Sequence, residues 1–316
     1  MINLLYCIDD NYNKMAFTSI ISVLDLISEK IKVNIIHKSE NNDLFIPEVI
    51  KSHKRLDTLN VYKFDRSFEY FPNLENSHIS EATYYRLFLE DYLDSSQDFY
   101  LYLDADVICI KDPLSYFRNL IDVMIKKNLT ISAMKHEEIP INDKRIKELG
   151  ISQGQYFNAG VMLINYSEWK NINIREKARR IIEEKNELLV LWDQDVLNMI
   201  FNENYLEINN LYNYRMNLLN FTKSEQKFIN DQVSLIHYYG KSKPWTIQGI
   251  GFGVSEYYQR NYRKIFSSKY HITHKWKPNS LKFLLQIIFS KKIFNLKFRT
   301  SFLIESFISF FRRSYN

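Results

Sequence analysis

The segment Phe99-Tyr100-Leu101-Tyr102-Leu103-Asp104-Ala105-Asp106-Val107 is a short apolar run that ends in two carboxylates one residue apart. A run of this kind, closed by polar residues, predicts a buried strand. Open α/β sheets bind their ligands where loops leave the carboxyl ends of the strands. Residues i and i+2 of an extended segment point the same way. Asp104 and Asp106 can therefore share one divalent cation, with diphosphate oxygens and water completing its shell. Taken alone, the Asp-x-Asp pattern is equally compatible with a loop of two solvated acids.

The flanking sequence supplies the rest of an α/β fold. Ile2–Ile8 is apolar and closes on Asp9, Asp10 and Asn11, which predicts a buried first strand with a loop at its carboxyl end. Residues 15–30 place Ile20, Ile21, Leu24 and Ile27 at helical spacing, and 33–37 reads as a second strand. Strand, helix and strand in this order predict a right-handed parallel unit. A third strand is expected over 58–64, and a helix carrying Tyr84, Tyr85 and Arg86 over 79–93. Further strands are expected at 130–134, 160–164 and 235–239, and helices at 174–184 and 194–201.

Composition narrows the class. Of 316 residues, 46% are hydrophobic and 25% charged, enough apolar surface to exclude a mostly disordered chain. Two cysteines exclude a disulfide scaffold or a Cys-rich zinc site; Cys7 and Cys109 read as small buried hydrophobes in a reducing compartment. The net charge of +5 is a property of the C-terminal tail. Residues 281–316 hold seven Lys/Arg against one acid, Glu305, a net of +6, which leaves 35 bases and 36 acids elsewhere. No nucleic-acid surface on the main body is implied. No run reaches the roughly 18 apolar residues of a membrane span, and the N-terminus lacks the charged leader of a signal peptide. A cytoplasmic location is expected.

The chain divides by texture at about residue 260. Residues 1–260 read as the catalytic domain, and 261–316 as a basic, aromatic-rich helical tail. Leu281, Leu284, Leu285 and Ile288 form an apolar stripe with Lys282 and Gln286 off it. Phe294, Phe298, Phe302, Phe307, Phe310 and Phe311 continue it among Lys291, Lys292, Lys297, Arg299, Arg312 and Arg313. Bases on one face and Phe/Leu on the other suit the anionic inner surface of the cell membrane. Docking on the catalytic core is the alternative.

Three more segments carry side chains suited to chemistry. In His237-Tyr238-Tyr239-Gly240-Lys241-Ser242-Lys243-Pro244-Trp245, the imidazole of His237 suits a borderline cation such as Mn²⁺. Gly240 admits a phosphate close to the backbone, and Lys243 supplies a point charge. In Tyr156-Phe157-Asn158-Ala159-Gly160-Val161, the small Ala159 and Gly160 suit a crowded ligand floor, and Asn158 can bond a hydroxyl. In Leu191-Trp192-Asp193-Gln194-Asp195, Asp193 can cap a helix or, with Gln194, face a sugar.

These segments, with Cys7-Ile8-Asp9-Asp10-Asn11-Tyr12 and Tyr84-Tyr85-Arg86, occur in one order. Over about residues 1–250 the chain closely resembles the bacterial members of glycosyltransferase family 8, the galactosyl- and glucosyltransferases of lipopolysaccharide and glycan assembly. The resemblance implies a GT-A fold, a Rossmann-like nucleotide-sugar-binding domain with a mixed central sheet. It also implies a UDP-hexose donor, Mn²⁺ (or Mg²⁺), a glycan or lipid-linked glycan acceptor, and retention of anomeric configuration. By the same resemblance, Asp9, Asn11 and Tyr12 would hold the uridine, and Arg86 would contact the donor sugar or order the Asp-x-Asp loop. Asp104, Asp106 and His237 would bind the metal, with Ala105 between them against the donor. Gly240 and Lys243 would hold the diphosphate. Asn158, Ala159, Asp193 and Gln194 would line the sugar pocket, with Asp193 and Gln194 nearest the anomeric carbon.

Retention admits a double displacement, for which Asp193 has the right chemistry, or a front-face attack in which a diphosphate oxygen takes the acceptor's proton. The front-face route is expected, with Gln194 stabilising the oxocarbenium-like sugar. Two rival readings are a haloacid-dehalogenase-type phosphatase using Asp104 and Asp106, and a non-catalytic glycan-binding paralogue. The former usually carries its motif near the N-terminus. The latter is expected to have lost a metal ligand or the diphosphate lysine.

Overall fold

The computed structural model describes residues 2–38, 46–65, 71, 80–94, 99–136, 139, 143–152, 154–273 and 279–311. Seven strands form the main sheet: β1 (Ile2–Ile8), β2 (Ile31–His37), β3 (Leu56–Lys63), β4 (Phe99–Leu103), β6 (Ile131–Lys135), β7 (Phe157–Asn165) and β8 (Leu206–Glu207), in the order β3-β2-β1-β4-β7-β6-β8. A smaller sheet has the order β5-β10-β9, from β5 (Val107–Cys109), β9 (Tyr214–Met216) and β10 (Leu235–Tyr238). Every residue of β1, β4 and β7 is buried, which is why their sequences read as continuous apolar runs rather than alternating ones. Alternate side chains enter two different cores. Leu4, Tyr6, Ile8, Leu101 and Leu103 join the helix Asn13–Leu24 on one face; Leu5, Cys7, Tyr100 and Tyr102 join the segment Glu81–Asp91 on the other.

Only β7 runs against the main sheet: β1, β2, β3, β4, β6 and β8 share one direction. This reversal builds the site. An antiparallel neighbour brings its amino end beside the carboxyl end of β4, so Leu103 pairs with Val161 and the Asp104 N–H donates to the Gly160 carbonyl at 2.8 Å. The loop after β4 then turns, with Val107 N–H on Asp104 O at 3.1 Å, and enters the second sheet. There β10 lies antiparallel to β5 with His237 opposite Val107.

Two elements differ from expectation. The first helix ends at Leu24, and Ile27 reaches the core from a turn bonded to the Val23 carbonyl. The segment around Arg86 is a 3-10 helix, Glu81–Asp91, kinked at Phe88 and buried along most of its length. The expected boundary at 260 falls inside the helix Glu256–Ile265, whose Tyr258 and Tyr262 belong to the core shared with the first helix.

The C-terminal segment folds back on the body. Ile247, Ile250, Tyr270, Ile272, Ile287, Ile293 and Phe302 make a third core. Glu305, the lone acid of the tail, accepts the backbone N–H groups of Lys269 and Tyr270. Phe302 and Ile287 thus face inward. Leu281, Leu285, Phe289, Phe294, Ile304, Phe307 and Phe310 face outward, Phe289 being 79% and Phe307 65% exposed. Arg312 and Arg313 lie outside the described residues.

Candidate active site

The loop after β4 and the strand β10 converge. One ligand atom each from Asp104, Asp106 and His237 lie within 4.8 Å of one another. His237 Nε2 is 3.3 Å from Asp106 Oδ1 and 3.8 Å from Asp104 Oδ2. Asp106 Oδ1 is buried with no hydrogen-bond partner, a costly state for a carboxylate oxygen. Its other oxygen takes the Lys243 ammonium at 2.6 Å. Burial pushes the Asp106 carboxyl up, but Lys243 and His237 beside it outweigh that and hold it well below the usual range. Two hard oxygens and one imidazole nitrogen, one oxygen orphaned, make a donor set that fits a divalent cation such as Mn²⁺.

The imidazole has a fixed orientation. Its Nδ1 is 2.9 Å from Asn213 Oδ1, and the Asn213 amide donates to Asn158 Oδ1 at 2.9 Å. Space for the ring is made by Gly160, where a Cβ would sit 2.2 Å from His237 Cε1 and 2.8 Å from Asp104 Oδ2. The glycine of Asn-Ala-Gly is therefore required by close approach.

Arg86 is buried and joins three elements. Its Nε donates to Asp193 Oδ2, and its Nη1 to the Ala159 carbonyl at 2.7 Å and to Asp104 Oδ1 at 3.4 Å. Its guanidinium lies 4.5 Å from the Tyr102 ring centre, and the Tyr102 hydroxyl donates to Asp104 Oδ1 at 2.7 Å. Burial pushes the Asp193 carboxyl up to about 6, with Arg86 pulling the other way. Asp193 is not the helix cap: Asp195 accepts the Leu191 N–H at 2.7 Å at the start of the helix Trp192–Phe201. Trp192 there adopts φ 52°, a left-handed conformation unfavourable for a bulky residue and of the kind that clusters at functional sites.

Gln194 Oε1 accepts from Ala159 N–H at 2.9 Å and from Asn158 Nδ2 at 3.1 Å, and its amide nitrogen reaches the Tyr156 hydroxyl at 3.3 Å. At the end of β1, Asp9 accepts the Asn11 N–H at 2.9 Å, closing a short turn that presents the half-buried Tyr12. Burial pushes the Tyr12 hydroxyl above its ordinary range, and the charges of Asp106, Asp9 and Asp104 add to it. Ala105 is buried between those carboxylates. Gly240 takes φ +79° with open space where a Cβ would be.

The fold thus gathers Arg86, Asp104, Asp106, Asn158, Ala159, Asp193, Gln194, His237 and Lys243 in one cluster; Asp9, Asn11, Tyr12 and Gly240 lie on turns and loops that none of these bonds reaches. Asn213, Tyr102 and Asp195 also belong to the cluster and were missed. Asn209 and Asn217, near Asn213 in sequence, are ordinary caps, so nothing in the local pattern singles Asn213 out.

The site is thus an Asp-Ala-Asp turn and a cation-compatible donor set at the strand ends of an open α/β sheet. The model of the glycosyl transferase family 8 matches residues 3–249. The chain belongs to this family and is a glycosyltransferase. It is 30% identical over 265 residues to lipopolysaccharide 1,2-glucosyltransferase of Escherichia coli K12, covering 81% of this chain and 76% of that protein. It is 28% identical over 239 residues to lipopolysaccharide 1,3-galactosyltransferase of Salmonella typhimurium, covering 73% and 67%. Among solved structures, galactosyltransferase LgtC in complex with donor and acceptor sugar analogs superposes with a TM-score of 0.68 at 24% identity, covering 84% of this chain and 96% of that one. That likeness bears on the fold, which is GT-A. Family membership displaces the phosphatase reading.

Proposed function

We propose that the chain transfers glucose or galactose from a UDP-sugar to a hydroxyl of a glycan or lipid-linked glycan, with retention, in lipopolysaccharide or related surface-glycan assembly. The observation that carries this reading is the triad Asp104, Asp106 and His237 within 4.8 Å, with one buried Asp106 oxygen facing the imidazole without a hydrogen bond and the other on Lys243. The names of the relatives supply the acceptor class. Asp104, Asp106 and His237 would hold Mn²⁺ (or Mg²⁺), which when bound supplies a Lewis acid for the departing diphosphate.

The side chains of this chain do the rest. Lys243, now on Asp106, is placed to move to a diphosphate oxygen and, with Gly240 opening the backbone, to neutralise leaving-group charge. Asp9, Asn11 and Tyr12 would take the uridine. Asn158, Ala159, Asp193 and Gln194 would bound the sugar, Arg86 holding the Asp193 carboxylate and the Asp104 loop in register. Asp193 is 2% exposed and bonded to Arg86, and both lone pairs of Gln194 Oε1 face N–H groups. Neither oxygen is disposed to attack carbon, which favours the front-face route.

The tail supports residence on the inner membrane face. Its outward Leu and Phe side chains lie among Lys282, Lys291, Lys292, Lys297 and Arg299, a combination suited to an anionic lipid surface. Among the described residues no helix is long and apolar enough to cross a membrane. In this reading residues 1–260 hold the catalytic residues and 261–316 the membrane-facing ones. Nucleoside-diphosphate release from a panel of nucleotide sugars, with and without Mn²⁺, tests the donor and metal; the anomeric configuration of the product tests retention. Release of inorganic phosphate from a phosphomonoester with no nucleotide-sugar turnover would overturn the reading.

A further inference from the structure

We infer that Asn213 is a positioning residue that sets the tautomer of His237 and ties the metal-ligating imidazole to the sugar-pocket side chains Asn158 and Gln194. The inference rests on the reading of Asp104, Asp106 and His237 as a cation site.

Two backbone groups fix the polarity of the whole relay, because an N–H can only donate. Gly160 N–H lies 3.1 Å from Asn158 Oδ1, so that atom is an oxygen and the facing Asn213 atom, at 2.9 Å, is the amide nitrogen. Asn213 Oδ1 is then the acceptor that meets His237 Nδ1 at 2.9 Å, and Nδ1 carries the proton. Nε2 is left facing Asp106 Oδ1 and Asp104 Oδ2, free of the amide and on the side where the cation would sit. Likewise Ala159 N–H at 2.9 Å fixes Gln194 Oε1 as an oxygen, so Asn158 Nδ2 donates to it. The Gln194 amide then donates to the Tyr156 hydroxyl, and that hydroxyl donates to Asp195 Oδ1 at 2.6 Å.

Every bond from His237 to Asp195 donates in the same direction. Asn213 is fully buried and spans the gap between the imidazole and the Asn-Ala-Gly strand. Ligating histidines are held in one tautomer by the bond their other nitrogen makes. Here an amide serves, and its second hydrogen-bonding group positions the pocket.

The test begins with the unmutated full chain. Side-chain ¹⁵N NMR of the metal-stripped protein, followed across pH until the ring is neutral, reads the tautomer, with the His237 signal assigned from H237N. The Nδ1-protonated form is expected; the Nε2-protonated form overturns the inference. Titration with Mn²⁺ alone then compares variants. N213L is expected to bind about 10- to 100-fold more weakly than wild type. N213D keeps an acceptor for Nδ1–H but gives Asn158 no donor, so it is expected to retain Mn²⁺ binding while kcat falls. Equal Mn²⁺ binding by N213L and wild type overturns the inference. Failure of the wild type itself to bind Mn²⁺ counts against the metal reading instead, and the tautomer still decides the role of Asn213.

Discussion

Lys243 Nζ lies 2.6 Å from Asp106 Oδ2 and donates to the Tyr238 carbonyl at 2.6 Å, so the cation read as the diphosphate anchor rests on a carboxylate read as a metal ligand. A divalent ion entering this site competes with an ammonium. Lys243→Met is therefore expected to move two measurements in opposite directions. Mn²⁺ binding to the free enzyme should be as tight as in wild type or tighter, while kcat/KM for the donor falls about 100-fold. Parallel weakening of both would show that Lys243 merely supports the loop.

Removing one metal ligand is expected to be far more severe than trimming a neighbour. Asp106→Asn leaves His237 and Asp104 facing an amide, and activity should fall about 1000-fold, roughly 4 kcal/mol of transition-state stabilisation. Chelation of wild type should have the same effect and be reversed by Mn²⁺. Turnover that survives exhaustive chelation would contradict the assignment.

Gly160→Ala adds one methyl where His237 and Asp104 already meet. The imidazole, held by Asn213, has to shift. A stability loss of about 1–3 kcal/mol is expected from overpacking, together with weaker Mn²⁺ binding. Denaturant unfolding and a metal titration check the pair; native behaviour in both would remove the steric role given to this glycine.

The acid limb of the rate profile is expected to reflect Asp193. Burial raises its carboxyl to about 6, so the ionised form that holds Arg86 is present above that pH and is lost below it. With donor and Mn²⁺ saturating, kcat should decline as the pH falls through about 6. A kcat that stays level to about pH 5 would place the Asp193 carboxyl lower than its burial implies.

On the tail, Phe289→Glu and Phe307→Glu change side chains that already face solvent. Turnover on a soluble acceptor should be unaffected. Co-sedimentation with anionic vesicles should weaken at least about tenfold for the pair, since each buried Phe is worth about 1.5–3 kcal/mol. Deleting 275–316 is a poorer test, because Ile287 and Phe302 belong to a core with Tyr270 and Ile272.

The parts of this molecule that were legible in its sequence share a physical origin. Strands buried on both faces, β1 and β4, announce themselves as apolar runs, and the polar residues that close them mark the ligand edge. The reversal of β7 was not legible: its run Phe157–Asn165 is as apolar as a parallel strand would be, and direction is set by the connection. The convergence of His237 on Asp104 and Asp106 came through the family resemblance, since strand pairing of β10 with β5 leaves no local mark. Asn213 and Tyr102 acquire their roles only from partners distant in the chain.

Gln259, in the helix Glu256–Ile265, donates one amide to both the Pro244 and His271 carbonyls and accepts the His271 N–H, while Thr273 N–H bonds the Trp245 carbonyl. The residues that follow Lys243 are thereby sewn to the strand of chain leading into the tail. The backbone just after Lys243 is therefore held from the C-terminal part of the chain, while Lys243 itself is held from Asp106.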